Sequence, residues 1–190
     1  MKQLSVTLIF SLMMVGMVSL RCQPVRFVEE SIDFRYEPGL FVVNGIYTFT
    51  VSAQSSVGHV IRYPLPFEHH DLDTIWVVDI NSGNTISFEE GKKGISFTLQ
   101  PVQGDTLQLN IGYRQRIFSD TLRYILTTTS RWGKPLRHAV YRFECSEPGI
   151  IPSFNYSPDQ VLSKDNRYKY IWIKNDFMPE TDFIVTLKKR

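Results

Sequence analysis

Apolar side chains fall on every second residue in five separate stretches of this chain, and that alternation limits it to strands. In Ile95-Ser-Phe97-Thr-Leu99 and Leu107-Gln-Leu109-Asn-Ile111-Gly-Tyr113 one side of the backbone is apolar and the other polar, the pattern of a strand with one buried face. Tyr47-Thr-Phe49-Thr-Val51, Ala139-Val-Tyr141-Arg-Phe143-Glu-Cys145 and Phe183-Ile-Val185-Thr-Leu187 repeat it. Turn-forming groups at Asn81–Asn84, Glu90–Gly94 and Val102–Asp105 stand about ten residues apart, the spacing of a sandwich or barrel. Tyr168–Trp172 and Ile75–Ile80 are more continuously apolar and read as central strands, while Pro158–Asp165 reads as a short turn of helix. No eleven-residue window holds a helical period. The expectation is an all-β fold, an antiparallel, Ig-like β-sandwich of roughly nine or ten strands, in a single domain over residues 22–190. Its last strand, Phe183–Leu187, carries three core residues.

The first 21 residues read differently. Lys2 precedes an uncharged, mostly apolar run from Leu4 to Leu20, followed by Arg21, Cys22, Gln23 and Pro24. This is the layout of a secretory signal peptide; at the short end of a membrane span, the run also suits an N-terminal anchor. Export to a periplasm, outer envelope or extracellular space is the expectation. Cys22 is a candidate for lipidation, since Ser19-Leu20-Arg21-Cys22 partly resembles a lipobox, although Arg21 stands where a small residue is usual. The other readings of Cys22 are an exposed thiol or a disulfide to Cys145, the second of only two cysteines. Two cysteines cannot carry a disulfide scaffold, so the fold rests on its core.

Charge excludes one class of function. Without Lys2 and Arg21 the chain holds 19 basic and 19 acidic side chains, and general affinity for nucleic acid needs a basic excess. Catalytic motifs are equally scarce: there is no Gly-x-Ser-x-Gly, no His-Glu-x-x-His and no phosphate-binding glycine loop. His138 and Cys145 are an odd number of residues apart on one predicted strand and so face opposite ways, with Cys145 on the core side. The densest polar cluster, Glu68-His69-His70-Asp71-Leu72-Asp73, offers imidazole and carboxylate ligands, making His69, His70, Asp71 and Asp73 the candidate metal set. Neighbours on an extended chain point apart, and the competing reading is a solvated loop. No cofactor is expected.

The basic residues are unevenly placed. From Tyr113 to Arg142 seven of them (Arg114, Arg116, Arg123, Arg131, Lys134, Arg137 and Arg142) oppose Asp120 alone. Alternation puts Arg114 and Arg116 on one face opposite Tyr113, with Arg137 assigned to the turn before its strand. Arg114, Arg116 and Arg142 are the candidate anion or partner face; the bland alternative is a solvated surface with ion pairs to the acidic segments. Tyr124–Leu136 with its Trp132-Gly-Lys-Pro element, Ala139-Val-Tyr141, Asn175-Asp-Phe177-Met-Pro179 and Asp182-Phe183 together resemble uncharacterised exported bacterial β-sandwich proteins. The resemblance covers about the last hundred residues and implies an exported all-β domain without a known activity. In that element Trp132 is expected to pack over the end of the core, the other reading being an exposed contact. The functional expectation is a non-catalytic cell-envelope module whose partner is a protein, a glycan or an anionic component, touching a membrane only through its N-terminus. The alternative is an exported hydrolase or metal-dependent enzyme built on the His69/His70/Asp71/Asp73 loop.

Overall fold

In the computed structural model, which describes residues 25–51, 58–66, 72–100, 106–164 and 167–189, the alternating stretches are strands. Seven strands form one sheet. They are β1 (Val25–Glu37), β2 (Leu40–Val51), β4 (Leu72–Asp79), β7 (Thr106–Arg116), β9 (Leu136–Cys145), β11 (Gln160–Lys164) and β12 (Arg167–Phe177), in the order β11-β12-β9-β1-β2-β7-β4. Two three-stranded sheets make the second layer. One has the order β10-β13-β8, with β8 (Thr121–Tyr124), β10 (Ile150–Phe154) and β13 (Phe183–Lys189); the other has the order β3-β6-β5, with β3 (His59–Pro64), β5 (Glu89–Gly91) and β6 (Gly94–Leu99). A 3-10 helix, Thr127–Trp132, follows β8 and ends at Gly133, whose φ of 68° lies in the left-handed region that glycine tolerates best.

The all-β, two-layered expectation holds, with four corrections. The described residues hold thirteen strands, more than the nine or ten expected, because β5, β10 and β11 are short strands with weak alternation. One pair is parallel: β1 runs alongside β9 in the register Ile32↔Tyr141 and Phe34↔Phe143, which the shared period of two cannot reveal. Pro158–Asp165 forms no helix where it is described; Asp159 accepts the Ile173 N–H at 2.7 Å and the Lys174 ammonium at 3.0 Å, holding Gln160–Lys164 extended against β12.

Ile75–Ile80 is also not a central strand. It belongs mainly to β4, the outermost strand of the large sheet. Its continuous apolarity has two causes. Val77 is fully buried on the inner face. On the outer face the Trp76 ring lies over Gly112, where a Cβ would meet ring carbon at 2.2 Å, and Nε1–H donates to Asn110 Oδ1 at 2.7 Å.

The core lies between the layers, and Phe183 is its hub. Its ring centroid is 4.8 Å from that of Phe34 and 4.9 Å from that of Trp172, with Tyr141 and Phe154 just beyond 6 Å. Asp182, next to it, ties the 3-10 helix down by accepting the backbone N–H groups of Leu126 and Thr127, both at 3.1 Å, and the Arg123 guanidinium at 2.7 Å. Burial opposes ionisation there, but those hydrogen bonds and Arg123 prevail and hold the carboxyl below its ordinary range.

Candidate functional site

The second layer is split, and the seam between β8 and β3 is filled by tyrosines. Tyr47, from the large sheet, meets the Tyr63 hydroxyl of β3 at 2.9 Å and the Tyr124 hydroxyl of β8 at 2.7 Å. No ladder joins β3 to β8, so this hydroxyl chain holds the seam together. Burial pushes all three hydroxyls above the usual tyrosine range. Beneath them lies Glu30, 4% exposed, whose carboxylate accepts a hydrogen bond from Tyr141. Desolvation raises its pKa to about 7 against the lowering effect of that bond. Glu30, Tyr47, Tyr63, Tyr124, Thr129 and Trp132 border a small pocket of about 50 Å³.

Outside the seam a broad groove of about 910 Å³ runs between β3, the β5–β6 turn and the 3-10 helix. His59, Arg62, Lys92, Lys93, Arg131 and Trp132 line it, with no carboxylate among its described lining residues. The strand and turn geometry sets these positions. Arg62 alternates with the buried Ile61 and Tyr63 and so faces outward; Lys92 and Lys93 occupy the tight turn between paired Gly91 and Gly94; Arg131 and Trp132 close the 3-10 helix. Trp132 is half-buried, as expected of a side chain packing over the end of the core, with its ring 5.9 Å from Phe27 and 5.7 Å from Phe49. Its remaining surface faces the groove. Exposed guanidinium and ammonium groups beside an indole form a surface suited to anionic groups and flat or apolar moieties.

The positions singled out in the sequence lie elsewhere. His69, His70, Asp71 and Cys22 fall outside the described residues, as does the span 1–21. Asp73 is described; it sits at the register shift between Leu72 and Thr74, 3.7 Å from Arg114 Nε and 3.8 Å from Arg116. Thus one residue of the metal set and two of the anion face form a single ion-paired cluster. Among the described residues no three His, Cys, Asp or Glu side chains gather where an ion would sit. Arg142 shares the outer sheet face with Arg114, but three strands away across β1 and β2, and it bonds to Ser31 at 2.9 Å and Asp33 at 3.4 Å. Arg137 lies within β9, not in the turn assigned to it, because the strand begins at Leu136 and Glu29 on β1 pairs with the guanidinium at 2.7 Å. His138 faces Asn175 while Cys145, on the other side of the strand, packs partly buried against the core and donates to the Glu147 carbonyl.

In the sequence the groove shows only in fragments. Arg131 is counted in the basic segment and Lys92-Lys93 appears as a turn, but Arg62 carries no signal of its own. What joins them is the groove itself, whose walls are β3 and the end of the 3-10 helix, about seventy positions apart in the chain.

No family model matches the chain, and neither does any curated protein. Solved structures do match. A protein from Legionella pneumophila described as a candidate nutrient-binding protein is similar with a TM-score of 0.69 and 15% identity, over 86% of this chain and 67% of that one. An M1 zinc metallopeptidase from Deinococcus radiodurans matches at 0.52 and 10% identity, over 87% of this chain and 43% of that one. A two-domain M1 zinc metallopeptidase mutant bound to L-arginine matches at 0.51 and 11%, over 86% and 42%. This chain therefore spans less than half of either metallopeptidase. Identities this low show a shared fold alone.

Proposed function

We propose that the protein is an exported, non-catalytic binding module of the cell envelope that takes an anionic partner into the groove beside the tyrosine seam. The observation that carries this reading is the lining: Arg62, Lys92 and Arg131 around Trp132, with no carboxylate among the described lining residues. By contrast, Arg114, Arg116 and Arg142 each lie within 4 Å of a carboxylate. That makes the outer sheet face the weaker anion site of the two. The Legionella protein's description as a nutrient binder accords with a ligand-binding role. The apolar run Leu4–Leu20 ahead of Cys22 supports export and a tethered or cleaved N-terminus. Isothermal titration of the mature protein with polygalacturonate and with anionic phospholipid vesicles at low ionic strength tests the reading. Binding that fades towards physiological salt is expected, since exposed charges are screened beyond about 8 Å. Heat exchange with neither probe even at low salt would remove the groove as an anion site.

A further inference from the structure

The split that opens the groove also leaves β3, among the described strands, with a neighbour on one side only. In the order β3-β6-β5 it is an outer strand, and its other side faces the groove. The Leu65 N–H donates to the Lys93 carbonyl at 3.4 Å. Hydrogen-bonded pairs alternate along an antiparallel ladder. With the register Tyr63↔Ile95 and Ile61↔Phe97, the backbone groups of His59, Ile61 and Tyr63 are directed to β6, and those of Val60, Arg62 and Pro64 away from it. Pro64, which has no N–H to give, sits where β6 asks for none, the place proline takes on an edge strand. Among the described residues no backbone hydrogen bond joins β3 to β8 or to the 3-10 helix. Val60, 65% exposed, is left in the open.

An edge of this kind recruits another strand. Protected edges carry a bulge or a covering element, but β3 has the groove. Its six residues span about 20 Å at the rise of a strand, enough for several ladder bonds. The charge beside it is of one sign: Arg62 on the strand, Lys92 and Lys93 beyond its Pro64 end and Arg131 across the groove. A segment lying there places alternate side chains towards Trp132 and the remainder towards these cations. A glycan meets the cations equally well but has no row of N–H and C=O groups to complete the ladder.

We propose that β3 takes up an extended acidic segment of a partner protein as an added strand, an inference that rests on the groove being the binding site. The probe is a capped eight-residue peptide of alternating glutamate and valine, compared with two versions N-methylated at alternate residues, one set on the even positions and one on the odd. Charge is identical in all three. One methylated version blocks the donors facing β3 and is expected to lose at least about tenfold in affinity, while the other binds like the parent. Val60→Pro, which removes a groove-facing N–H, should weaken the parent peptide and leave polygalacturonate binding unchanged; should that variant fail to fold, the methylated pair still decides. Equal binding of all three peptides overturns strand addition, and so does binding of polygalacturonate without binding of the peptide; either leaves the anionic groove standing. Failure of the peptide and polygalacturonate alike overturns both.

Discussion

Glu30 carries the clearest pH signature in the molecule. Burial raises its carboxyl from an ordinary 4.5 to about 7. Between those values the folded protein holds a proton that the unfolded chain has released, so this stabilisation is present below the window and is lost as pH rises through about 7, the reverse of an ion-paired carboxylate. The effect is on the order of 3 kcal/mol. Glu30→Gln, which keeps the shape without the titration, should flatten the urea-unfolding midpoint between pH 5 and pH 8 and exceed the wild type at pH 8; parallel profiles for the two proteins would rule this out. Two buried tyrosines offer a contrast at the same scale. The Tyr113 hydroxyl has no hydrogen-bond partner among the described residues, whereas that of Tyr63 bonds to Tyr47. Removing an unsatisfied hydroxyl is neutral or gains up to about 1 kcal/mol, while breaking a satisfied buried pair costs about 1–3 kcal/mol. Tyr63→Phe should therefore lower the thermal unfolding midpoint, while Tyr113→Phe should leave it unchanged or raise it; a fall of equal size in both would contradict this.

At the scale of elements, β13 concentrates the packing. Phe183 touches aromatic rings from β1, β9, β10 and β12, joining the two layers, so Phe183→Ala should cost about 3–5 kcal/mol, read from chemical denaturation. A loss below about 1 kcal/mol would mean that the surrounding rings collapse into the gap. This strand was legible in the sequence, as were the other alternating stretches, because a half-buried strand writes its orientation into every second residue. Legibility fails where burial is not one-sided. Ile75–Ile80 looks central although it lies at an edge, since Trp76 covers Gly112 on the outer face. Gln160–Lys164 hides its strand character because all five side chains are exposed. The parallel pairing of β1 with β9 leaves no local trace at all.

At the scale of the whole molecule, the divided second layer is what turns a sandwich into a candidate receptor. Tyr47 bridges partners sixteen and seventy-seven residues away, a relation no local pattern encodes, and the groove lies just outside the seam it spans. The sequence shows an excess of arginine between Arg114 and Arg142, but a count of charges cannot say which are neutralised. Asp73, from the acidic segment, lies beside Arg114 and Arg116, and the cations of the groove come from three separate elements. The most direct measurement is a comparison of two charge reversals in polygalacturonate titrations at low salt, Arg62→Glu with Arg131→Glu against Arg114→Glu with Arg116→Glu, with circular dichroism confirming the strand signal of each. The groove pair should lose at least about tenfold in affinity and the sheet-face pair should bind within about twofold of wild type. Loss of binding in the sheet-face pair with the groove pair unchanged would contradict the account.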